Sequence, residues 1–402
     1  MSLKILVIAP DYPYPVVGGL QKQAHELNRE LMRLDCELLV LSGKHARGDA
    51  SSEVVDGISV CRSPRLGRLR SRLIFNALWM VWNVFLRAGR YDVVHIHNLS
   101  TIGALAAVAA RVRGTSVLMK LPNVGKLGIP GLCENAFGNN VLYLLRSVSA
   151  FVAMAEGSVA ELQDIGTPAR KFFQMVNGIN VERFDEKTAG EKVETEQERM
   201  KVIFTGRFVP QKGLDELLNA WGMLHRDGRL NGALLQLVGD GPELDSLQQL
   251  TEELGLSESV AFMGFRDDVP SLLQQASIFV LPSHVEGNSN SILEAMAAGL
   301  PIVATDVGGT RMQVGEVAAG WIVLARDVFG LSSCLGEMLC AEELRLKMGA
   351  LMRMRIEKYF DIKIVSKGYV AAYRALSKDR RSNMQPLSSS VFDITTEVTD
   401  GV

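Results

Sequence analysis

Residues 277–309 read SIFVLPSHVEGNSNSILEAMAAGLPIVATDVGG. Two short apolar runs, SIFVL from Ser277 and PIVAT from Pro301, have the length and β-branched content of buried strands. Between them lie a polar, glycine-containing loop and a helical stretch, so the segment is a strand–loop–helix–strand unit. Strands that are apolar on both faces and separated by helices belong to parallel sheets covered on both sides. Working outward, KVIFT from Lys201, LLQLV from Leu234 and VAFMG from Val260 repeat the pattern upstream. Leu214, Leu217, Leu218, Trp221 and Leu224 mark the first helix of that half.

The first half alternates in the same way. Its strand candidates are KILVIA from Lys4, ELLVL from Glu37, DVVHI from Asp92, TSVLM from Thr115 and AFVAM from Ala150. Leu20, Ala24, Leu27, Leu31 and Leu34 form one helical stripe between the first two. A stretch dense in Glu and Lys, 185–199, has no apolar periodicity and reads as a linker. Charged helices are predicted near 342–358 and 361–376, and the polar, patternless residues 377–402 read as a disordered tail. Two doubly wound domains in tandem follow, with ligands expected outside the carboxyl ends of the strands and in the cleft between facing sheets.

Bulk properties narrow the function. The chain of 402 residues is too long for one typical core. A formal charge of −2 gives no reason to expect nucleic acid as a partner. Cys36, Cys61, Cys133, Cys334 and Cys340 are scattered and odd in number, which predicts buried reduced thiols in a cytoplasmic protein rather than disulfides or zinc. MSLKILVIAP enters a strand without a charged leader, and the apolar runs 73–86 and 101–112 are too short to span a bilayer.

Several side chains have the chemistry for an anionic, hydroxyl-rich ligand. Glu286 follows a strand and Glu294 lies in the next helix, with seven residues between them. Ser289 or Asn290 is placed to cap that helix, leaving Gly287, Asn288 and Ser289 as a loop with outward N–H groups that suit a phosphate. Glu294 would accept paired hydroxyls of a ribose, and Glu286 those of a sugar. A solvated acid and a helix-terminal charge complementing the dipole is the competing reading. In FTGRFVPQKG, from Phe204, Arg207 and Lys212 would stabilise the charge of a departing diphosphate, or are ordinary surface cations.

Other positions are individually weaker. Gly18 and Gly19 open a helix after a proline-rich loop and permit close backbone approach, without a G-x-G-x-x-G fingerprint. His95 and His97 share one face of a strand end; no third ligand completes a metal set, so His97 is read as a sugar or phosphate contact and His95 as core. Gly239 in LVGDGPE, and Gly264 and Phe265 in FMGFRDDV, are turn residues suited to a nucleobase, and Lys120 would meet a phosphate.

Taken together, GGLQKQAHEL, DVVHIHN, VNGINVERF, GRFVPQKG, LVGDGPE and the E-x7-E block with AMAAGLPIVATDVGG resemble the retaining glycosyltransferases of family four. The resemblance implies the GT-B fold, two Rossmann-like doubly wound parallel-sheet domains facing across a cleft. The domains would be 1–184, on the acceptor side, and 185–360, binding the nucleotide sugar, with helix 361–376 crossing back to the first. It implies transfer of a sugar from a UDP- or GDP-linked donor to a hydroxyl acceptor, with retention and with no divalent metal or other cofactor. By resemblance, Glu286 contacts the donor sugar, Glu294 the ribose, Arg207 and Lys212 the diphosphate, His97 the reaction centre, and Gly18–Gly19 lie under the phosphates. The chain departs from the family where Met312 stands in place of an acid and where Lys120 stands near an expected histidine.

The acceptor class implied is a carbohydrate or lipid-linked sugar in cell-surface polysaccharide or glycolipid synthesis. A nucleotide-sugar 2-epimerase and a catalytically silent nucleotide-sugar-binding protein are the alternatives. Arg62, Arg65, Arg68, Arg70 and Arg72 precede the apolar run LIFNALWMVWNVFL, which predicts either peripheral contact with the inner membrane face or a core helix after a solvated loop.

Overall fold

A computed structural model describes residues 2–10, 12, 18–43, 49–64, 69–125, 128–134, 138–185 and 199–379. They form two compact units: the chain up to Gly178 with the C-terminal helix Ile362–Asp379, and the chain from Ile179 to Asp361. Most of the predicted linker, the proline loop 13–17, and residues 380–402 of the predicted tail lie outside the described residues.

The first unit carries β1 (Leu3–Ile8), β2 (Cys36–Ser42), β3 (Ser52–Val55), β4 (Ile58–Arg62), β5 (Val93–Ile96), β6 (Ser116–Leu121), β7 (Ala150–Ala153) and β8 (Phe172–Gln174). Their order is β3-β4-β2-β1-β5-β6-β7-β8, parallel except for the β3–β4 pair. Every residue of β5, β6 and β7 is buried, so these strands are mostly apolar, with His95 in β5 and Ser116 and Lys120 in β6 as the polar exceptions. The β3–β4 hairpin adds two strands to those read from the sequence. Its turn is Asp56–Gly57, both at positive φ, and Asp-Gly between two apolar runs is the sequence signal for that turn.

The second unit carries β9 (Lys201–Thr205), β10 (Leu234–Val238), β11 (Val260–Gly264), β12 (Ile278–Leu281), β13 (Ile302–Thr305) and β14 (Ile322–Val323). All are parallel, in the order β11-β10-β9-β12-β13-β14. Strand order reverses at β1 in the first unit, which pairs with β2 and β5, and at β9 in the second, which pairs with β10 and β12. In open parallel sheets the crevice beyond the carboxyl ends at such a reversal is where ligands bind.

The helix Ile362–Asp379 closes the first unit. Tyr373 shares a 2.7 Å hydrogen bond with His95 Nδ1, and Ser116 Oγ donates to Leu376 O at 3.0 Å. His95 is therefore a core residue, as expected; burial, with the nearby Lys120 charge, lowers its pKa to about 3 and keeps it neutral. The membrane expectation needs correction at one end. Arg62 is buried at 3% exposure and paired with Glu53, because it closes the inward face of β4 rather than opening a solvated loop. Arg65 and Arg68 lie outside the described residues. Of the five free cysteines only Cys36 is buried, so thiol burial is not general. Among the described residues, no helix is long and apolar enough to cross a membrane.

Tyr373→Phe removes the hydroxyl and leaves His95 Nδ1 buried without its partner. The expected cost is about 1–3 kcal/mol for an unsatisfied buried group, read as a lowered denaturation midpoint of the first unit.

Candidate active site

In the second unit the loops after β9, β10 and β11 are locked by backbone bonds. Gly206 N donates to Val238 O at 3.0 Å, Phe208 N to Asp240 O at 2.9 Å and Gly239 N to Gly264 O at 2.9 Å. Gly239 has φ +144, and a Cβ there would stand 1.8 Å from Gly206 O. Only glycine lets these chains approach so closely. The turn at Gly264 leaves Phe265 72% exposed. Phe265 is thus an open aromatic face next to the Gly239 turn, while Arg266 is tied to Asp268.

The loop after β9 is joined in turn to the loop after β12. His284 N donates to Gln211 O at 2.8 Å, and His284 Nε2 lies 2.9 Å from Glu216 Oε1. Gly213, at φ +62, would bring a Cβ to 2.3 Å from Pro282 O. Across this junction Lys212 pairs with Glu286 Oε1, and Ser283 Oγ donates to the same oxygen at 2.8 Å. The two side chains are 20% and 11% exposed, so the charges sit largely out of water but within reach of a ligand. Arg207, on the same loop as Lys212, is exposed. Burial, and a hydrogen bond that the protonated Glu216 carboxyl donates to the neighbouring Asp215, push the Glu216 carboxyl up.

A third strand end completes the assembly. Gly309 N donates to Gly287 O at 2.8 Å, and a Cβ on Gly308, at φ +55, would lie 1.9 Å from Glu286 O. Gln313, fully buried, receives Ser289 N–H at 3.1 Å and donates back to Ser289 O at 2.8 Å. This corrects the expectation for Ser289. It precedes the helix Asn290–Ala297 but makes no side-chain cap; its Oγ meets Ser291 Oγ, and its N–H turns inward to Gln313 rather than outward. Gly287 and Asn288 remain half-buried at the loop surface, and Glu294 is half-buried one turn into the helix.

In the first unit, β1 and β5 are neighbours, so the turns after them meet. His97 follows β5, its N–H bonded to Ile8 O at 3.0 Å. Its ring lies 4.1 Å from that of His95 and is only 7% exposed. Burial first, then the neighbouring His95 and Lys120, hold its pKa far below the ordinary range. Its Nε2 has no hydrogen-bond partner among the described residues. Gly18 is extended and precedes the helix Gly19–Arg33 without a side-chain cap.

Lys120 does not present itself to a ligand. It is buried within β6, which runs on to Leu121, and its ammonium donates to Asn177 Oδ1 at 2.9 Å. The amine braces the chain just before Gly178, whose carbonyl accepts from Gln23 Nε2 at 2.9 Å. Sequence reasoning missed Ser283, His284, Glu216 and Gln313, because single polar residues inside apolar patterns carry no periodic signal.

Comparison with known proteins gives the same picture over both units. Residues 185–353 match the family described as glycosyl transferases group 1, and residues 18–178 match the glycosyl transferase 4-like domain. An uncharacterized glycosyltransferase of Methanocaldococcus jannaschii is 27% identical over 346 residues, 80% of this chain and 85% of that one. A GDP-mannose-dependent alpha-(1-6)-phosphatidylinositol monomannoside mannosyltransferase of Mycobacterium tuberculosis is 31% identical over 199 residues, 46% of this chain and 51% of that one. Among solved structures, Anabaena HepE in complex with UDP-glucose superposes with a TM-score of 0.72 at 18% identity, covering 92% of this chain and 99% of that one.

Burial lowers the Lys120 amine to about 8 in the folded chain, against about 10.4 when unfolded. Between these values the unfolded chain holds more proton, so stability rises with pH there. Relative to Lys120→Met, the wild-type chain is expected to gain stability from about pH 8 to pH 10.4. Parallel urea denaturation of the two proteins across that window checks the sign.

Proposed function

This chain belongs to the glycosyl transferases group 1 and is a glycosyltransferase of the GT-B fold; from that premise we propose that it moves a hexose from a UDP- or GDP-sugar to a hydroxyl, with retention of anomeric configuration. The observation that carries the reading is the Lys212–Glu286 pair, which joins the loops after β9 and β12, with the exposed Arg207 on the same loop as Lys212. A diphosphate arriving there competes with Glu286 for the ammonium. Lys212 and Arg207 then neutralise the phosphates, and Glu286, oriented by Ser283, is released to accept hydroxyls of the donor sugar.

Gly287 and Asn288, ahead of the helix Asn290–Ala297, supply the phosphate cradle, and Glu294 takes the ribose diol. Phe265 offers a face for the base, with Gly239 and Gly264 shaping the turns around it. In the reaction the bond between the anomeric carbon and the diphosphate oxygen breaks as the acceptor oxygen bonds to the same face. The acceptor proton passes to the leaving phosphate. His97, kept neutral by burial, contributes one hydrogen bond through Nε2 and carries no charge in the process. For Gly18–Gly19 we propose the phosphate contact that the resemblance implies. We assign the neutralisation of the leaving group to Lys212 and Arg207, so the reaction requires no divalent metal or other cofactor.

Nucleotide-sugar use is supported by the HepE complex with UDP-glucose and by the GDP-mannose-dependent relative, whose named acceptor is a phosphatidylinositol mannoside. The acceptor we propose is accordingly a carbohydrate or lipid-linked sugar, met in the cytoplasm at the inner face of the membrane, in polysaccharide or glycolipid synthesis.

Lys212→Ala is expected to lower kcat by about 10²–10³, the effect of losing one preorganised group at a developing charge. Turnover within about threefold of wild type would overturn the assignment. Donor incubated without acceptor should yield free sugar and nucleotide slowly and no isomerised donor. Appearance of the epimer would identify an epimerase instead, and protein that binds donor without ever consuming it would identify a sensor.

A further inference from the structure

We propose that the outer face of the helix Leu69–Arg87 lies on an anionic lipid surface, which deepens, and rests on, the membrane-face reading above. The helix covers one side of the first unit's sheet. Met80 and Val84 point into the core formed with β1, β5 and β6. A covering helix of this kind ordinarily turns charged residues outward. From Leu73 to Leu86 this one has none.

Its outward side is instead one stripe at four-residue spacing: Ile74, Leu78, Trp82 and Leu86, 64%, 65%, 59% and 47% exposed. The stripe runs for about 18 Å along the helix. The two polar residues in the span are occupied locally: Asn76 accepts from Ser63 Oγ, and Asn83 donates to Trp79 O. Single exposed apolar side chains need no explanation, but a continuous row marks a surface that is covered in use.

Charge identifies what covers it. From Gly57 to Tyr91 the chain contains no acidic residue, and arginines bracket the stripe: Arg70 and Arg72 in the first turn, Arg87 and Arg90 at the end. The end of the neighbouring helix Thr101–Val112 adds Arg111, exposed Val112 and Arg113, whose guanidinium lies 5.4 Å from the Phe85 ring. A second copy of this chain is a poor occupant. With arginines at both ends of the stripe, parallel or antiparallel apposition sets like charges against each other. Apolar and tryptophan side chains between cationic ends match an interfacial helix on anionic lipid, where headgroups take the arginines and the acyl boundary takes the stripe.

The test is co-sedimentation of the full chain with vesicles of phosphatidylcholine alone and of phosphatidylcholine with phosphatidylglycerol. Binding is expected only to the second, and is expected to be lost at about 1 M salt, where screening acts within about 3 Å. Leu78→Ser combined with Trp82→Ser should weaken partition at least about tenfold. Neither residue belongs to the candidate active site, so stabilisation by UDP-glucose should be the same in variant and wild type. Absence of vesicle binding, binding unchanged in the double variant, or a concentration-dependent dimer that the double variant abolishes would each overturn the proposal. If UDP-glucose stabilises neither protein while the vesicle results hold, the donor reading fails and the lipid surface stands.

Discussion

A largely desolvated ammonium and carboxylate, Lys212 and Glu286, meet where strand order reverses between β9 and β12, and the second unit is arranged around that meeting. Two charges taken out of water attract strongly, but each bears a desolvation cost that only good geometry offsets. The geometry comes from backbone, not from side chains. Gly213 lets the first loop touch Pro282 O, Gly308 lets the third touch Glu286 O, and Gly239 lets the β10 turn rest on Gly206 O. A methyl group at any of these three positions would force the loops apart. In the function proposed above, an incoming diphosphate replaces the carboxylate at Lys212.

How much of this was legible in the sequence differs by level. The central strands of both sheets were legible because burial on both faces makes them apolar runs, as in β7 and β12. Glu286, Lys212 and the glycine-rich turns were legible because charged and glycine residues directly after such runs must sit at carboxyl ends. What stayed hidden was pairing across loops. Nothing local says that His284 meets Glu216, sixty-eight positions away, or that Gln313 takes the Ser289 N–H. Ser289 shows the consequence: cap chemistry predicted an outward N–H, and a tertiary partner turned it inward. The hairpin turned by Asp56–Gly57 carries a turn signal but a faint strand signal, because its strands are short and half exposed.

The two units handle buried polar groups in opposite ways. In the first, Lys120 is bound by Asn177 and His95 by Tyr373, so their polarity fixes the register of the crossover chain and the C-terminal helix. Burial suppresses the charge on both histidines and weakens the proton affinity of the lysine. His97 Nε2 and His95 Nε2 are both without a partner among the described residues, and of the two His97 is the one that follows the end of β5. In the second unit the cations keep some exposure: Lys212 is partly buried and Arg207 is exposed. The partly exposed setting of the second unit suits a group that must stay charged, as the neutralisation of a diphosphate proposed above requires. Swapping the two environments would fail on physical grounds, because a lysine as buried as Lys120 loses charge as pH rises toward 8, whereas an exposed arginine holds it throughout.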